Sequence, residues 1–343
     1  MLGIMVFDVL LLCGCGADVK APSKPLGIAA VPQSKETQTV KNRHFRFAVT
    51  DWCQRLFGAK HDTAGLCGLA TALDADLDLV AHDQWSQVQA TKVRLSCVLP
   101  DMGVEGPESK PVAPFVPGFN NPETAERTYA AIDTALDRAA KAGIKYILVF
   151  TGFDTKEDRA IQCQRIVEGY TVIRGSAQES LIKKAERLGI TFVIEMLNTE
   201  GEEATWKGHP GYLGNNTAEI VANVIRPIGS KNFLLVFDVY HVRMMGEDLI
   251  EMIEKYHDVI GYVHVAGVVV QVGGGHHPKN RGELDVNGQL VDYAEVCAKL
   301  AEYLPKGTYI LLEYIPTETD PTKVQQGLAD AITICESKIP KGK

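Results

Sequence analysis

The chain has 343 residues, 45% apolar and 23% charged, with 35 basic against 43 acidic side chains and a formal charge of −8 at pH 7. Ordinary globular composition of this kind excludes a disordered, collagen-like or polytopic membrane protein. The acidic balance lacks the basic stripe of a nucleic-acid binder, so no nucleic-acid partner is expected.

Residues 1–15 (MLGIMVFDVLLLCGC) form an apolar run of signal-peptide length, too short to span a bilayer as a helix. Leu12-Cys13-Gly14-Cys15 resembles a bacterial lipobox, in which the last cysteine is lipidated after cleavage. Against that reading, the run has no Lys or Arg and contains Asp8. Residues 16–43 are rich in Pro, Ser, Lys and Thr and read as a flexible tether. Two expectations follow: export with a lipid anchor at Cys15, to the periplasm or cell surface, or an ordinary apolar leader on a cytoplasmic protein. Of the eight cysteines, none after the first pair has a close CxxC spacing, so a zinc ribbon or dense disulfide framework is not expected. One or two disulfides stay open.

From residue 44 to 343 the chain reads as one domain. Eight strand candidates occur in order: Phe45–Thr50, Leu77–Ala81, Lys92–Leu99, Tyr146–Thr151, Thr191–Leu197, Phe233–Asp238, Gly261–Ala266 and Thr308–Tyr314. Several are continuous apolar runs, as in parallel strands covered on both faces. Amphipathic stretches separate them. Pro122–Ala142 opens with Pro in its first turn and stops at Gly143, and Ala177–Leu188 stops at Gly189. Asn216-Thr217 caps a helix to about Ile228, and Gly246–His257, Tyr293–Leu304 and Lys323–Ser337 continue the rhythm. The pattern predicts an α/β fold, a (β/α)8 TIM barrel. An open doubly wound sheet is the alternative, but no GxGxxG follows an early strand. The Gly- and Pro-rich segments 103–121 and 267–289 each follow a strand, which in a barrel puts both on the catalytic face.

Barrel strands should be apolar to their ends, and four here are not: Ile194-Glu195-Met196, Phe237-Asp238-Val239-Tyr240-His241, Val263-His264-Val265 and Leu312-Glu313-Tyr314. A carboxylate in an apolar strand is costly to bury without a partner. One such residue is usually a salt-bridged edge residue, and a lone histidine a core one. Four in strands five to eight, near the same end, predict a single site. Three carboxylates and an imidazole at Glu195, Asp238, His264 and Glu313 suit Mg2+ or Mn2+, which would neutralise a buried charge of −3.

These residues carry a resemblance. Glu195-Met196-Leu197-Asn198, His209-Pro210-Gly211-Tyr212, Phe237-Asp238-Val239-Tyr240-His241, Val263-His264, Arg281-Gly282-Glu283-Leu284-Asp285 and Leu312-Glu313-Tyr314 make the chain similar to the xylose isomerase-like barrel superfamily. Within it they point to the hydroxypyruvate isomerase and ketose 3-epimerase group. The resemblance spans roughly Phe45 to Ile334. It implies that Glu195, Asp238, His264 and Glu313 hold the metal, that Glu195 and Glu313 also move the proton, and that His241 contacts a substrate oxygen. A metal bound to the carbonyl and hydroxyl oxygens stabilises the enediolate left by proton loss. Returning the proton to the neighbouring carbon isomerises the substrate, and returning it to the other face of the same carbon epimerises it.

The loop after strand seven departs from the family. Gly267 stands at its usual acidic position, and Arg281 and His277 are the remaining candidates for substrate contact. His82 follows strand two and Asp51-Trp52 strand one; Trp52 reads as a pocket wall or as packing. His61, His209, His257 and His276 read as solvated.

The implied function is a metal-dependent isomerase of a small hydroxy-carbonyl or sugar substrate. A ketose 3-epimerase and a non-catalytic, surface-anchored sugar-binding barrel are the alternatives. An apurinic endonuclease-like hydrolase needs histidines after strands two and three. His82 fits the first, but Val98-Leu99-Pro100-Asp101 offers none for the second. Many relatives are dimers or tetramers, so a homo-oligomer is a further expectation from the resemblance.

Overall fold

The computed structural model describes residues 43–106, 109–199, 208–269, 281–286 and 288–340. The leader, Cys15, most of the tether and the histidines 276 and 277 lie outside the described residues. Eight short parallel strands, apolar on both faces, require helices outside and side chains inside, and a closed cylinder provides both. The strands are β1 Arg46–Thr50, β2 Asp76–Asp78, β3 Cys97–Val98, β4 Tyr146–Val149, β5 Thr191–Glu195, β6 Phe233–Asp238, β7 Ile260–Val265 and β8 Tyr309–Leu312. They pair in the order β2-β1-β8-β7-β6-β5-β4-β3. β2 and β3 meet through one parallel bridge, Leu77 with Leu95. Its bonds are Leu77 N to Arg94 O at 2.9 Å and Ser96 N to Leu77 O at 2.9 Å, and beyond it Leu79 N donates to Cys97 O at 3.1 Å.

All eight predicted strands are present, and six are shorter than expected. β2 stops at Asp78 rather than reaching Ala81, because Leu79 takes a left-handed φ of +56°. Only Cys97–Val98 forms a ladder in the 92–99 run, whose first residue, Lys92, is exposed. Within the 103–121 segment, Val104–Glu105 and Lys110–Pro111 form a small antiparallel hairpin.

Helices begin where side chains cap them. Asn121 accepts from Glu123 N ahead of Pro122–Ala142, and Gly143 closes that helix at φ +76°. Ser180, Asp248 and Asp320 move three helix starts to Leu181, Leu249 and Pro321, from the expected 177, 246 and 323. Arg159–Thr171, capped by Asp158, adds a helix the sequence reading did not place. No helix among the described residues is long and apolar enough to cross a membrane. The six described cysteines, at 53, 67, 97, 163, 297 and 335, are buried and free.

Inside the cylinder pack Ala48, Cys97, Leu148, Val193, Val236 and Leu311. Tyr262 and Tyr309 stack there at 5.5 Å, with Tyr146 edge-on to both. Asp76 takes bonds from Arg46 at 2.7 Å, Arg94 at 3.1 Å and the Tyr309 hydroxyl at 2.6 Å. Asp78, fully buried, takes the hydroxyl of Tyr262.

Candidate metal centre

The ends of β5 to β8 bring the four predicted residues together. Glu195 and Asp238 are the last residues of β5 and β6, and His264 pairs in register with Asp238. Glu313 follows β8, its N–H donating to Val265 O at 3.0 Å. All four are at most 5% exposed. Their ligand atoms lie within 4.8 Å of one another. His264 Nδ1 stands 2.8 Å from Glu195 Oε1, 3.0 Å from Glu313 Oε2 and 3.7 Å from Asp238 Oδ2.

The FDVYH run shapes its own corner. Asp238 caps the helix Val239–Met244 by accepting from His241 N at 2.9 Å through Oδ1. This turns His241 back beside the carboxylate. Asn198 holds the ring, its Oδ1 2.6 Å from His241 Nδ1. Asp238 Oδ2 is left facing three nitrogens, those of His264 at 3.7 Å and of His241 and Arg281 at 3.8 Å, all too far for a hydrogen bond. Asp238 Oδ2 and His241 Nε2 are buried without a hydrogen-bond partner.

Glu313 is the best held of the four. Arg281 donates to Oε2 at 2.6 Å, and Trp52 Nε1 donates to Oε1 at 3.1 Å. The Arg281 guanidinium lies over the Trp52 and Tyr240 rings at 5.6 and 5.2 Å. Trp52 therefore contributes its polar edge, which neither a pocket wall nor packing alone describes. Burial alone would raise Glu313, but Arg281 and His264 hold it down at about 2. Burial pushes Asp238 up to about 8 against the pull of Arg281. Burial would lower His264, but Glu195 and Glu313 override it and raise the ring well above its ordinary value.

The departure at Gly267 has a steric cause. Its N–H donates to Gly282 O at 2.8 Å. A Cβ there would stand 2.4 Å from Glu283 O and 2.8 Å from Gly282 O. The missing side chain lets the returning 281–284 segment lie against the end of β7, which delivers Arg281 to Glu313.

The segment after β5 is tied down by Tyr212, whose hydroxyl accepts from Thr151 N at 2.9 Å and donates to Glu195 O at 3.0 Å. Phe153 and Tyr212 form an antiparallel bridge beside it. His209, expected in solvent, is instead packed at the mouth, 5.8 Å from the His241 ring. Burial and then Arg281 lower it to about 4. His82 is exposed, beside Trp85, outside the cluster. His257 stacks on Tyr303 at 4.4 Å, and His61 is half-buried. Asn198, Tyr240 and Tyr212 sit inside the quoted motifs, yet the sequence reading gave them no role. Their position three residues after Glu195, two after Asp238 and three after His209 was the available signal.

The donor set fits a divalent cation. Three buried carboxylates share one imidazole nitrogen, and one carboxylate oxygen lacks any donor, which is costly unless a cation is added.

Fold and cluster together define a metal-competent parallel barrel with its polar groups at the carboxyl ends of the strands. The chain belongs to the xylose isomerase-like TIM barrel family, whose model matches residues 73–332. It is similar to two proteins named "Putative hydroxypyruvate isomerase". The one from Drosophila melanogaster is 31% identical over 110 residues, 32% of this chain and 37% of that protein. The one from Streptomyces coelicolor is 26% identical over 144 residues, 42% of this chain and 48% of that protein. The match thus spans less than half the length of either relative. Among solved structures, an IolI protein with a bound zinc atom superposes with a TM-score of 0.63 at 13% identity, covering 86% of this chain and 99% of that one. A D-psicose 3-epimerase with D-tagatose, from Clostridium cellulolyticum H10, gives 0.58 at 14% identity, covering 86% and 99%. At such identities the likeness is one of fold.

Proposed function

We propose that this protein is a metal-dependent isomerase of a short hydroxy-carbonyl compound, of the hydroxypyruvate isomerase type. The observation that carries the reading is the convergence of Glu195, Asp238, His264 and Glu313 within 4.8 Å, with one Asp238 oxygen unpartnered. These four residues would hold the cation, and a mainly oxygen donor set favours Mg2+ or Mn2+. When bound, such an ion draws charge from carbonyl and hydroxyl oxygens and makes the adjoining C–H more acidic.

The protein's own groups do the rest. Glu195 and Glu313 reach the cluster from different strands, so one takes the proton and the other returns it; general base catalysis of this kind contributes roughly 10²–10⁴-fold. Arg281 and Trp52 keep Glu313 ionised and oriented. The buried guanidinium also supports an anionic substrate end, because Arg pairs with carboxylates through more than one N–H. His241 Nε2, free of partners, is oriented to bond a substrate oxygen.

The test is metal content followed by turnover of hydroxypyruvate and of ketohexoses by the full chain loaded with Mn2+ or Mg2+, in D2O. Isomerisation of hydroxypyruvate with solvent deuterium on carbon is the expected result. Inversion at C3 of a ketohexose alone would make it a 3-epimerase. If nothing is turned over and Glu195→Gln and Glu313→Gln bind sugar as the native chain does, the protein is a binding barrel.

A further inference from the structure

The β4–β6 side of the mouth is built from rings that the proton transfer does not use. His209 is seated by its backbone, whose N–H donates to Asn198 O at 2.7 Å. Two residues on, Gly211 takes a φ of +89°, which a side chain would resist, and lets the chain turn into the Tyr212 anchor. The ring of His209 stands 5.8 Å from that of His241 and meets the edge of Phe115 at 4.8 Å. Phe115, from the long segment after β3, packs on Phe150 at 6.1 Å and Phe153 at 6.4 Å.

Two imidazole nitrogens here, His209 Nδ1 and His241 Nε2, are buried with no hydrogen-bond partner. A polar atom buried unpaired costs about 1–3 kcal/mol. Two of them on adjacent rings, beside a carboxylate oxygen that also lacks a donor, point to a ligand group that the described chain does not supply.

We propose that His209 and His241 form a two-imidazole subsite for the oxygen on the third carbon of a short substrate, and that Phe115 closes the far end against longer chains. This rests on the isomerase reading, in which the first two carbons carry the reacting carbonyl and hydroxyl. Asn198 Oδ1 takes the His241 N–H at Nδ1, so His241 offers Nε2 as an acceptor beside His209 Nδ1, a pair that suits a hydroxyl, which both donates and accepts. The edge-on Phe115 offers no such partner, so a further hydroxylated carbon placed there would lose its water without a replacement bond.

The test compares the native, Mn2+-loaded full chain with His209→Ala, His209→Asn and Phe115→Ala. Hydroxypyruvate and dihydroxyacetone serve as three-carbon probes with a carboxylate and a hydroxyl third group, and D-fructose as the six-carbon probe. His209→Ala should raise KM for a three-carbon probe by about tenfold with unchanged metal content, and His209→Asn should restore part of the loss. Which three-carbon probe responds identifies the third group. Phe115→Ala should raise kcat/KM for D-fructose relative to the three-carbon probes by about tenfold. Equal changes for all probes, or no change, would overturn the subsite. If the native chain turns over nothing, calorimetric binding decides. Weaker binding of a three-carbon probe by His209→Ala upholds the subsite while the isomerase reading fails. Equal binding by the two proteins, or none by the native chain, sinks the subsite.

Discussion

Asp76 and Asp78 lie inside the same cylinder as Glu195, Asp238 and Glu313, yet the two groups meet the cost of burial in different ways. Asp76 gathers Arg46, Arg94 and the Tyr309 hydroxyl. Asp78 takes the Tyr262 hydroxyl, and burial, partly offset by that bond, raises its pKa to about 7, so near neutrality it is partly protonated. Chain donors answer Asp76, whereas Asp78 keeps one oxygen, Oδ1, without a hydrogen-bond partner and meets its burial in part with a retained proton. At the mouth three carboxylates share His264 and Arg281, and Asp238 Oδ2 has no donor at all. Both sets are carboxylates in apolar strands. A donor-less oxygen occurs in both sets, so the difference teaches that convergence, three carboxylates and an imidazole with ligand atoms within 4.8 Å, marks the place where something from outside is to bind.

The largest expected effect separates the two sets by activity. Glu313→Gln should cut turnover by roughly 10²–10⁴-fold, the scale of a lost general base. Asp78→Asn should leave kcat within a few-fold and metal content unchanged. A comparable collapse in Asp78→Asn, measured by steady-state kinetics on metal-loaded protein, would erase the distinction.

A smaller effect concerns pH. The folded pKa of Asp78 is raised from 3.8 to about 7, so between those values the folded state binds more protons than the unfolded one. Its contribution to stability therefore falls as pH rises through that window, by up to about 1.4 kcal/mol per unit. Urea midpoints at intervals from pH 5 to 7 should show the native chain losing stability relative to Asp78→Asn. Parallel profiles would mean that Asp78 is answered by donors alone.

The smallest effect sharpens the mouth. Gly267→Ala forces a methyl group against Glu283 O and should cost about 1–3 kcal/mol. Because the 281–284 return carries Arg281, turnover should fall with stability. Full activity in a destabilised variant would show that Arg281 keeps its seat by other means.

The barrel and its metal-competent residues were legible because a polar residue breaks an otherwise apolar strand. Glu195, Asp238, His264 and Glu313 each stand out against such a run. What stayed hidden depended on contacts distant in the chain or on backbone shape. Trp52 meets Glu313 across 261 positions, and nothing local marks its N–H as spoken for. His209 looked solvated because rings that pack against it, Phe115 and His241, come from distant parts of the chain. Asp78 drew no role inside the Leu77–Ala81 strand candidate, since only the closed cylinder brings Tyr262 to it. Gly267 read as the loss of an acidic residue, whereas its cause is the close approach of the 282–283 backbone.

Ladders join every neighbouring pair of strands except β2 and β3, which meet at the Leu77–Leu95 bridge. With that bridge on one side and a two-residue ladder to β4 on the other, β3 has the shortest pairings in the wall. None of β5, β6, β7 or β8 borders it. The four ligand residues instead stand at strands held on both sides by ladders of at least three residue pairs.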